Sequence, residues 1–300
     1  MLMCAKIPSI VTSGRLGNQL FQWAYMHQIM RNDPINKRLT FSMIEMNSST
    51  NGQTNRLLPL KHSCTHLHIS KANLLLKLRM KIVERLNLTL PDELTAKIAS
   101  VLGLEYESIN YLNTNYSSKG STRIGYYQDV RKFIDELSLL LSELIEAIEI
   151  ETRNLLETGK FNGIMDTPFQ LLHIRGGDFR DSGNENFGLL AKDYYLDNLD
   201  SRLKSIIITD DPIYAYSSIT KFIPNSVILN PNEFNEWCAL AISTMCDRFI
   251  SSNSTFSYWC GLLANRHGAT TLLPKPFNKI GVDLETLQLP HLEFVEAQYL

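Results

Sequence analysis

The sequence predicts an α/β protein of two domains, the second built on a doubly wound parallel sheet. Three observations carry that reading. The chain has 300 residues, enough for two domains of about 150 each. From Phe169 onward short apolar runs alternate with helical periods, the rhythm of strand and crossover helix. Those apolar runs also end in polar clusters: His173-Ile174-Arg175, Thr209-Asp210-Asp211 and Ser251-Ser252-Asn253-Ser254-Thr255. In an open α/β sheet the carboxyl ends of the strands are where ligands bind.

Composition narrows the function. With 44% hydrophobic and 20% charged residues the chain is globular, and its net charge of −2 offers no cationic excess for a nucleic acid. The five cysteines are odd in number and contain no Cys-x-x-Cys pair, so neither a disulfide framework nor a zinc knuckle is expected and a reducing cytoplasm fits. Lys6, Pro8, Ser9 and Arg15 interrupt the N-terminal apolar residues well short of the roughly 18 that a membrane span needs.

In chain order, Ile7 to Ser13 reads as a strand. Gly14-Arg15-Leu16-Gly17-Asn18-Gln19 is then a turn into a helix ending near Arg31. Such a helix start offers free N–H groups to an anion, though Gly14-x-x-Gly17 lacks the Gly-x-Gly core of the dinucleotide fingerprint. Residues 56–85 carry Arg56, Lys61, Lys71, Lys77, Arg79, Lys81 and Arg85 against Glu84. Leu74, Leu75, Leu78, Ile82, Val83 and Leu86 supply one apolar side of a helix there, either a core face under a solvated basic face or a surface for anionic lipid. Pro91 to Val101 reads as another helix and Arg123 to Tyr127 as a strand. Val130 to Leu156 is helical by period, with acidic residues such as Glu136, Glu143 and Glu151 mostly outward. Gly159, Asn162, Gly163 and Pro168 then mark a domain boundary near residue 160. Strands are expected at 169–175, 205–209, 226–229, 248–251 and 270–273, with helices near 192–203, 213–222, 233–245 and 255–265.

The first of those strands leads into Arg175-Gly176-Gly177-Asp178. A guanidinium fork suits phosphate, and the glycines let backbone approach a ligand. Ser252-Asn253-Ser254-Thr255 precedes a helix, and four hydroxyl or amide residues in a row exceed what one N-cap uses.

Gly14-Arg15-Leu16-Gly17-Asn18-Gln19-Leu20-Phe21-Gln22, Gly125-Tyr126-Tyr127-Gln128, His173-Ile174-Arg175-Gly176-Gly177-Asp178-Phe179, Thr209-Asp210-Asp211 and Ser252-Asn253-Ser254-Thr255-Phe256-Ser257-Tyr258-Trp259 resemble, in this order, the motifs of glycosyltransferase family 11. These are the α-1,2-fucosyltransferases, which use GDP-fucose. The resemblance spans residues 14 to about 276. It implies a GT-B-like architecture of two Rossmann-like doubly wound domains facing across a cleft. Residues 1–160 would lie on the acceptor side, and residues 161–300 would bind the GDP-sugar. It implies transfer of L-fucose from GDP-β-L-fucose, with inversion and without a metal, to a hydroxyl of a β-galactoside-type glycan, a lipid-linked oligosaccharide among the acceptors. A cytoplasmic enzyme resting on the inner membrane through its basic helix would follow.

On this reading Arg175 and the donors at Asn253, Ser254, Thr255 and Phe256 stabilise the departing GDP, while Arg15 and Asn18 reach the same cleft from the first domain. His173 contacts the nucleoside; Asp210 and Asp247 accept hydrogen bonds from ribose or guanine. Asp178 either takes the acceptor proton or orients an arginine. The chain departs from the family's His-x-Arg-Arg-x-Asp-Tyr, with Gly176 for the second arginine and Phe179 for the tyrosine. That departure leaves two alternatives, transfer of another sugar from a GDP donor or a glycan- or nucleotide-binding module without turnover.

Overall fold

The computed structural model describes residues 8–31, 41–45, 57–64, 67–87, 90–107, 122–157, 167–180, 187–279 and 284–300. They form two compact units, Met1–Ala147 and Ile148–Leu300.

In the first unit β1 (Ser9–Thr12) leads into α1 (Leu16–Arg31), β2 (Phe41–Glu45), α2 (Leu58–Ser63), β3 (Leu67–Lys71), α3 (Leu74–Asn87), α4 (Asp92–Val101), β4 (Leu104–Glu107) and β5 (Thr122–Gly125). All the strand pairings are parallel, in the order β3-β2-β1-β5-β4. The chain therefore runs outward from β1 through β2 to β3 and returns on the other side, so its direction reverses between β1 and β5. Helix α1 buries Leu20, Phe21, Trp23, Ala24 and Met26, nearly all round, as a helix lying in a core does.

Helix α3 corrects the sequence reading. Its core face is Leu76, Met80 and Val83, packed with Val11, Ala99, Leu104 and Ile124. Leu74 at 85%, Leu78 at 57% and Ile82 at 39% are exposed instead. A 3.6-residue period admits either stripe, and contact with the sheet selects between them.

The long helix also begins later than its periodicity suggests. Val130–Glu136 is a 3-10 turn kinked at Phe133, and α5 proper is Leu137–Glu157. Its acidic residues do not all face outward. Glu136 is buried against Arg31, Glu143 lies by His27, and Glu151 accepts a hydrogen bond from Cys238 Sγ at 3.4 Å. The division between the units falls inside this helix, earlier than the boundary expected at 160. Buried Leu140, Leu144, Ala147 and Ile148 carry the apolar face across that division and keep the helix whole there; Gly159, Asn162 and Gly163 lie outside the described residues.

The second unit continues with β6 (Phe169–Ile174), α6 (Lys192–Asp197), β7 (Lys204–Thr209), α7 (Pro212–Ser218), β8 (Val227–Ile228), α8 (Glu236–Ser243), β9 (Arg248–Ile250), α9 (Thr255–Arg266), β10 (Thr270–Lys275) and β11 (Glu293–Glu296). The sheet is again parallel, in the order β11-β10-β9-β6-β7-β8. Numbered within the unit this is 3-2-1-4-5-6, the Rossmann order, with its reversal between β6 and β9. Every residue of β6 is buried, as a central parallel strand covered on both faces must be. Leu172, Ile207, Ile250 and Leu272 join in one core cluster, each contributing about 1.5–3 kcal/mol of burial. Among the described residues no helix is long and apolar enough to cross a membrane.

Candidate active site

Strands β9, β6 and β7 are neighbours, so their carboxyl ends bring residues 251–255, 173–178 and 209–211 to one edge of the sheet. Arg175 stands in the middle of that edge. Its Nη2 bonds the Asp178 carboxylate, its Nη1 lies 2.5 Å from Asp210 Oδ2, and its plane packs on the Phe179 ring at 4.9 Å. Asp210 Oδ1 also accepts the Gly176 N–H at 2.9 Å. One guanidinium is thus held between two carboxylates, which set its fork in a fixed orientation.

The two glycines owe their identity to this clamp. A Cβ on Gly177 would overlap the Asp210 carboxylate, and one on Gly176 would lie 2.8 Å from Tyr214 Cδ1 and 2.9 Å from Asp211 Cβ. Space, rather than backbone conformation, demands glycine here. A second arginine at 176 has no room beside Tyr214. A second guanidinium nevertheless stands at the loop, because Arg180 pairs with Asp211 Oδ2 at 3.1 Å and lies 5.7 Å from the Tyr214 ring.

The turn between β9 and α9 forms the other wall. Ser254 is the N-cap of α9, its side chain accepting the Ser257 N–H. The first N–H groups of a twelve-residue helix therefore emerge at the sheet edge that holds Arg175. Most of the hydroxyls that suggested a cradle are used internally. Ser257 Oγ accepts from Ser252 N and from Ser251 Oγ, both at 2.8 Å, and Asn253 Nδ2 donates to the carbonyls of Phe187 and Gly188. Ser254, Thr255 and Phe256 remain partly exposed. Tyr194 and Tyr195 brace the edge from beneath, donating to the carbonyls of Ser251 and His173. Burial pushes both phenols well up, so they stay protonated donors.

Three of the expected ligand residues are engaged within the chain. Asp247 accepts the N–H of Phe169 at 3.0 Å, at the start of β6, about 20 Å of strand from Arg175. It closes the amino edge of the sheet and is removed from any ribose or guanine contact. Asp210 has one oxygen on Gly176 and the other on Arg175, so it positions the guanidinium. His173 is only 5% exposed; its Nδ1 pairs with Ser252 Oγ at 2.9 Å and its ring meets Phe256 edge-on. That fastens β6 to the β9–α9 turn and makes His173 a support beneath the site.

Arg15 and Asn18 belong to the first unit, beside that unit's own reversal point. Gly14 adopts φ +73°, which glycine alone takes readily, and Gln128 Nε2 donates to Asn18 Oδ1 at 2.9 Å. Gln22, buried in α1, accepts from Ser13 N and donates to Ser13 Oγ and to the Gly125 carbonyl, joining the ends of β1 and β5. Tyr127 holds φ +55° while stacked on Tyr25 at 4.0 Å; a non-glycine residue in that region marks local strain. Arg15 is half-buried immediately before α1.

Residues 5–280 match the sequence profile described as glycosyl transferase family 11. An α-1,2-colitosyltransferase of Escherichia coli is 26% identical over 286 residues, covering 88% of this chain and 90% of its own. Among solved structures, a glycosyl transferase of family 9 from Veillonella parvula superposes with a TM-score of 0.51 at 11% identity, over 99% of this chain and 87% of that one. The likeness is one of fold: two Rossmann-like parallel α/β units, the GT-B class.

Proposed function

Because the chain belongs to glycosyl transferase family 11, we propose that it is an inverting α-1,2-transferase moving L-fucose, or a close 6-deoxy relative, from a GDP-β donor. The acceptor is a hydroxyl of a β-galactoside-type glycan. One observation carries the reading: Arg175, clamped by Asp178 and Asp210, sits at the β6–β9 reversal beside the N-terminus of α9. A guanidinium fork and a helix start together suit a diphosphate.

The chemistry follows from those groups. The acceptor oxygen attacks the anomeric carbon opposite the nucleotide, and the C–O bond to the β-phosphate breaks with its electron pair leaving on GDP. Arg175 and the first N–H groups of α9 meet that developing charge, each contribution being on the order of 3 kcal/mol. The donor displaces Asp178 from Arg175 rather than Asp210, since Asp178 is 39% exposed and Asp210 20%. Asp178, so released, accepts the hydroxyl proton. The positive potential comes from the protein, and the reaction needs no metal.

The colitosyltransferase relative supports a deoxy sugar. Colitose is L-fucose without its 3-hydroxyl, so donor choice turns on whether the site bonds that hydroxyl. The test offers GDP-fucose, GDP-colitose and GDP-mannose with lactose as acceptor and weighs the products by mass spectrometry. We expect transfer from one of the first two, with an initial rate unchanged by EDTA. GDP binding without transfer to lactose or other β-galactosides would favour a binding module, and strong loss of rate on chelation would contradict the metal-free step.

The exposed face of α3 adds a partner. Leu74, Leu75 and Leu78 stand out to solvent beside the exposed cations Lys81 and Arg85, the composition of a helix that rests on anionic lipid. Flotation should show binding to vesicles containing anionic lipid, and several-fold less to neutral vesicles and to Leu74→Ser/Leu78→Ser. Indifference to lipid charge would remove the membrane from this account.

A further inference from the structure

The first unit also contains a cluster that the transfer chemistry does not use. His27 on α1, Cys64 at the end of α2 and Glu143 on α5 come together from three segments, their ligand-type atoms all within 4.8 Å of one another. Cys64 Sγ lies 3.5 Å from His27 Nε2, and that nitrogen lies 3.3 Å from Glu143 Oε2. Cys64 is buried, and the His27 and Glu143 side chains are 12% and 17% exposed. Glu143 Oε2 itself is buried and makes no hydrogen bond. A buried carboxylate oxygen left in that state is costly unless something positive meets it.

We propose that His27, Cys64 and Glu143 form a structural site for one zinc-class cation. Zinc holds imidazole nitrogen and carboxylate oxygen at about 2.0–2.1 Å and thiolate sulfur at about 2.3 Å, so tetrahedral angles place nitrogen about 3.6 Å from sulfur and about 3.3 Å from oxygen. The observed 3.5 Å and 3.3 Å agree with both. Charge agrees as well. On binding, the thiol proton passes to solvent, and a divalent ion with one thiolate, one carboxylate and a neutral imidazole sums to zero in a largely dry pocket. The Trp23 and Phe41 rings meet the imidazole edge-on at 5.1 and 5.4 Å and hold its plane. Thiolate and imidazole together select against magnesium and calcium. The ion would tie α1, α2 and α5 into one piece. It would sit about 14 Å along α1 from the Gly14–Asn18 turn, so its role is architectural and does not rest on the transfer reaction.

The experiment strips the full chain with a chelator and titrates it with Zn²⁺ against a chromophoric competitor, then with Co²⁺. The expected result is one equivalent per chain, a thiolate-to-cobalt charge-transfer band of tetrahedral type and a rise in Tm with Zn²⁺. Cys64→Ser should lose the band, and Glu143→Gln should weaken binding at least tenfold. Each variant is checked for fold by circular dichroism, and either alone suffices if the other does not fold. Burial pushes the Cys238 and Cys246 thiols up to about 11 and about 12, so neither competes readily for the ion. Binding no tighter than micromolar in the native chain, or an unchanged band in Cys64→Ser, would overturn the proposal and leave a plain thiol–imidazole–carboxylate contact.

Discussion

Arg175→Ala should lower kcat/KM by at least about a hundredfold, the factor that roughly 3 kcal/mol of lost charge stabilisation corresponds to. The loss should appear in kcat as well as in GDP affinity, because the guanidinium meets charge that grows as the C–O bond breaks. Arg175→Lys separates charge from shape. It keeps a cation but loses the fork that spans Asp178 and Asp210, and should fall between the native enzyme and alanine. The alanine variant also leaves Asp210 facing Asp178 without a cation, so its Tm is measured alongside. A folded Arg175→Ala protein within about fivefold of native rate would remove the site from this edge of the sheet.

Asp178→Asn tests the other end of the same ion pair. Asparagine keeps the shape and removes the charge that competes with phosphate for Arg175. GDP should therefore bind as tightly as before or more tightly, while kcat falls by about 10²–10⁴ through loss of the proton acceptor. Calorimetry with GDP and steady-state kinetics read the two effects separately. If GDP affinity and kcat fall together, Asp178 orients Arg175 and the proton goes elsewhere.

The second unit was far more legible in the sequence than the first. Its strands are largely apolar runs with polar ends, such as Leu171-Leu172 within Phe169–Ile174 and Ile206-Ile207-Ile208 within Lys204–Thr209, and such runs announce both the sheet and its ligand edge. Strands β2, β3 and β4 escaped because Phe41–Glu45, Leu67–Lys71 and Leu104–Glu107 are only four or five residues long, too few for a period of two to stand out, and β11, with four, escaped for the same reason. Within the site, Arg175 and the α9 start were visible from residue type and position. The duties of Asp210 and His173 were not, since partners 35 and 79 residues away decide them. Asp247 directly precedes the strand expected at 248–251, so chain order already placed it at the amino end of a parallel strand, away from the ligand edge. Gln22 did carry a signal, as an amide within the apolar face of α1 between Phe21 and Trp23. The His27, Cys64 and Glu143 cluster carried none, having no ligand spacing along the chain.

Position 177 and position 210 occupy a single volume: the carboxylate of Asp210 fills the place a methyl group on residue 177 would need. A side chain at residue 177 therefore requires the Asp210 carboxylate to move, whereas a smaller residue at 210 leaves Gly177 undisturbed. A related chain bearing a side chain at the first position must turn the second aspartate away or give it up, and restrain its arginine by other means. Covariation between these two columns would thus report, from sequence alone, which relatives share this clamp.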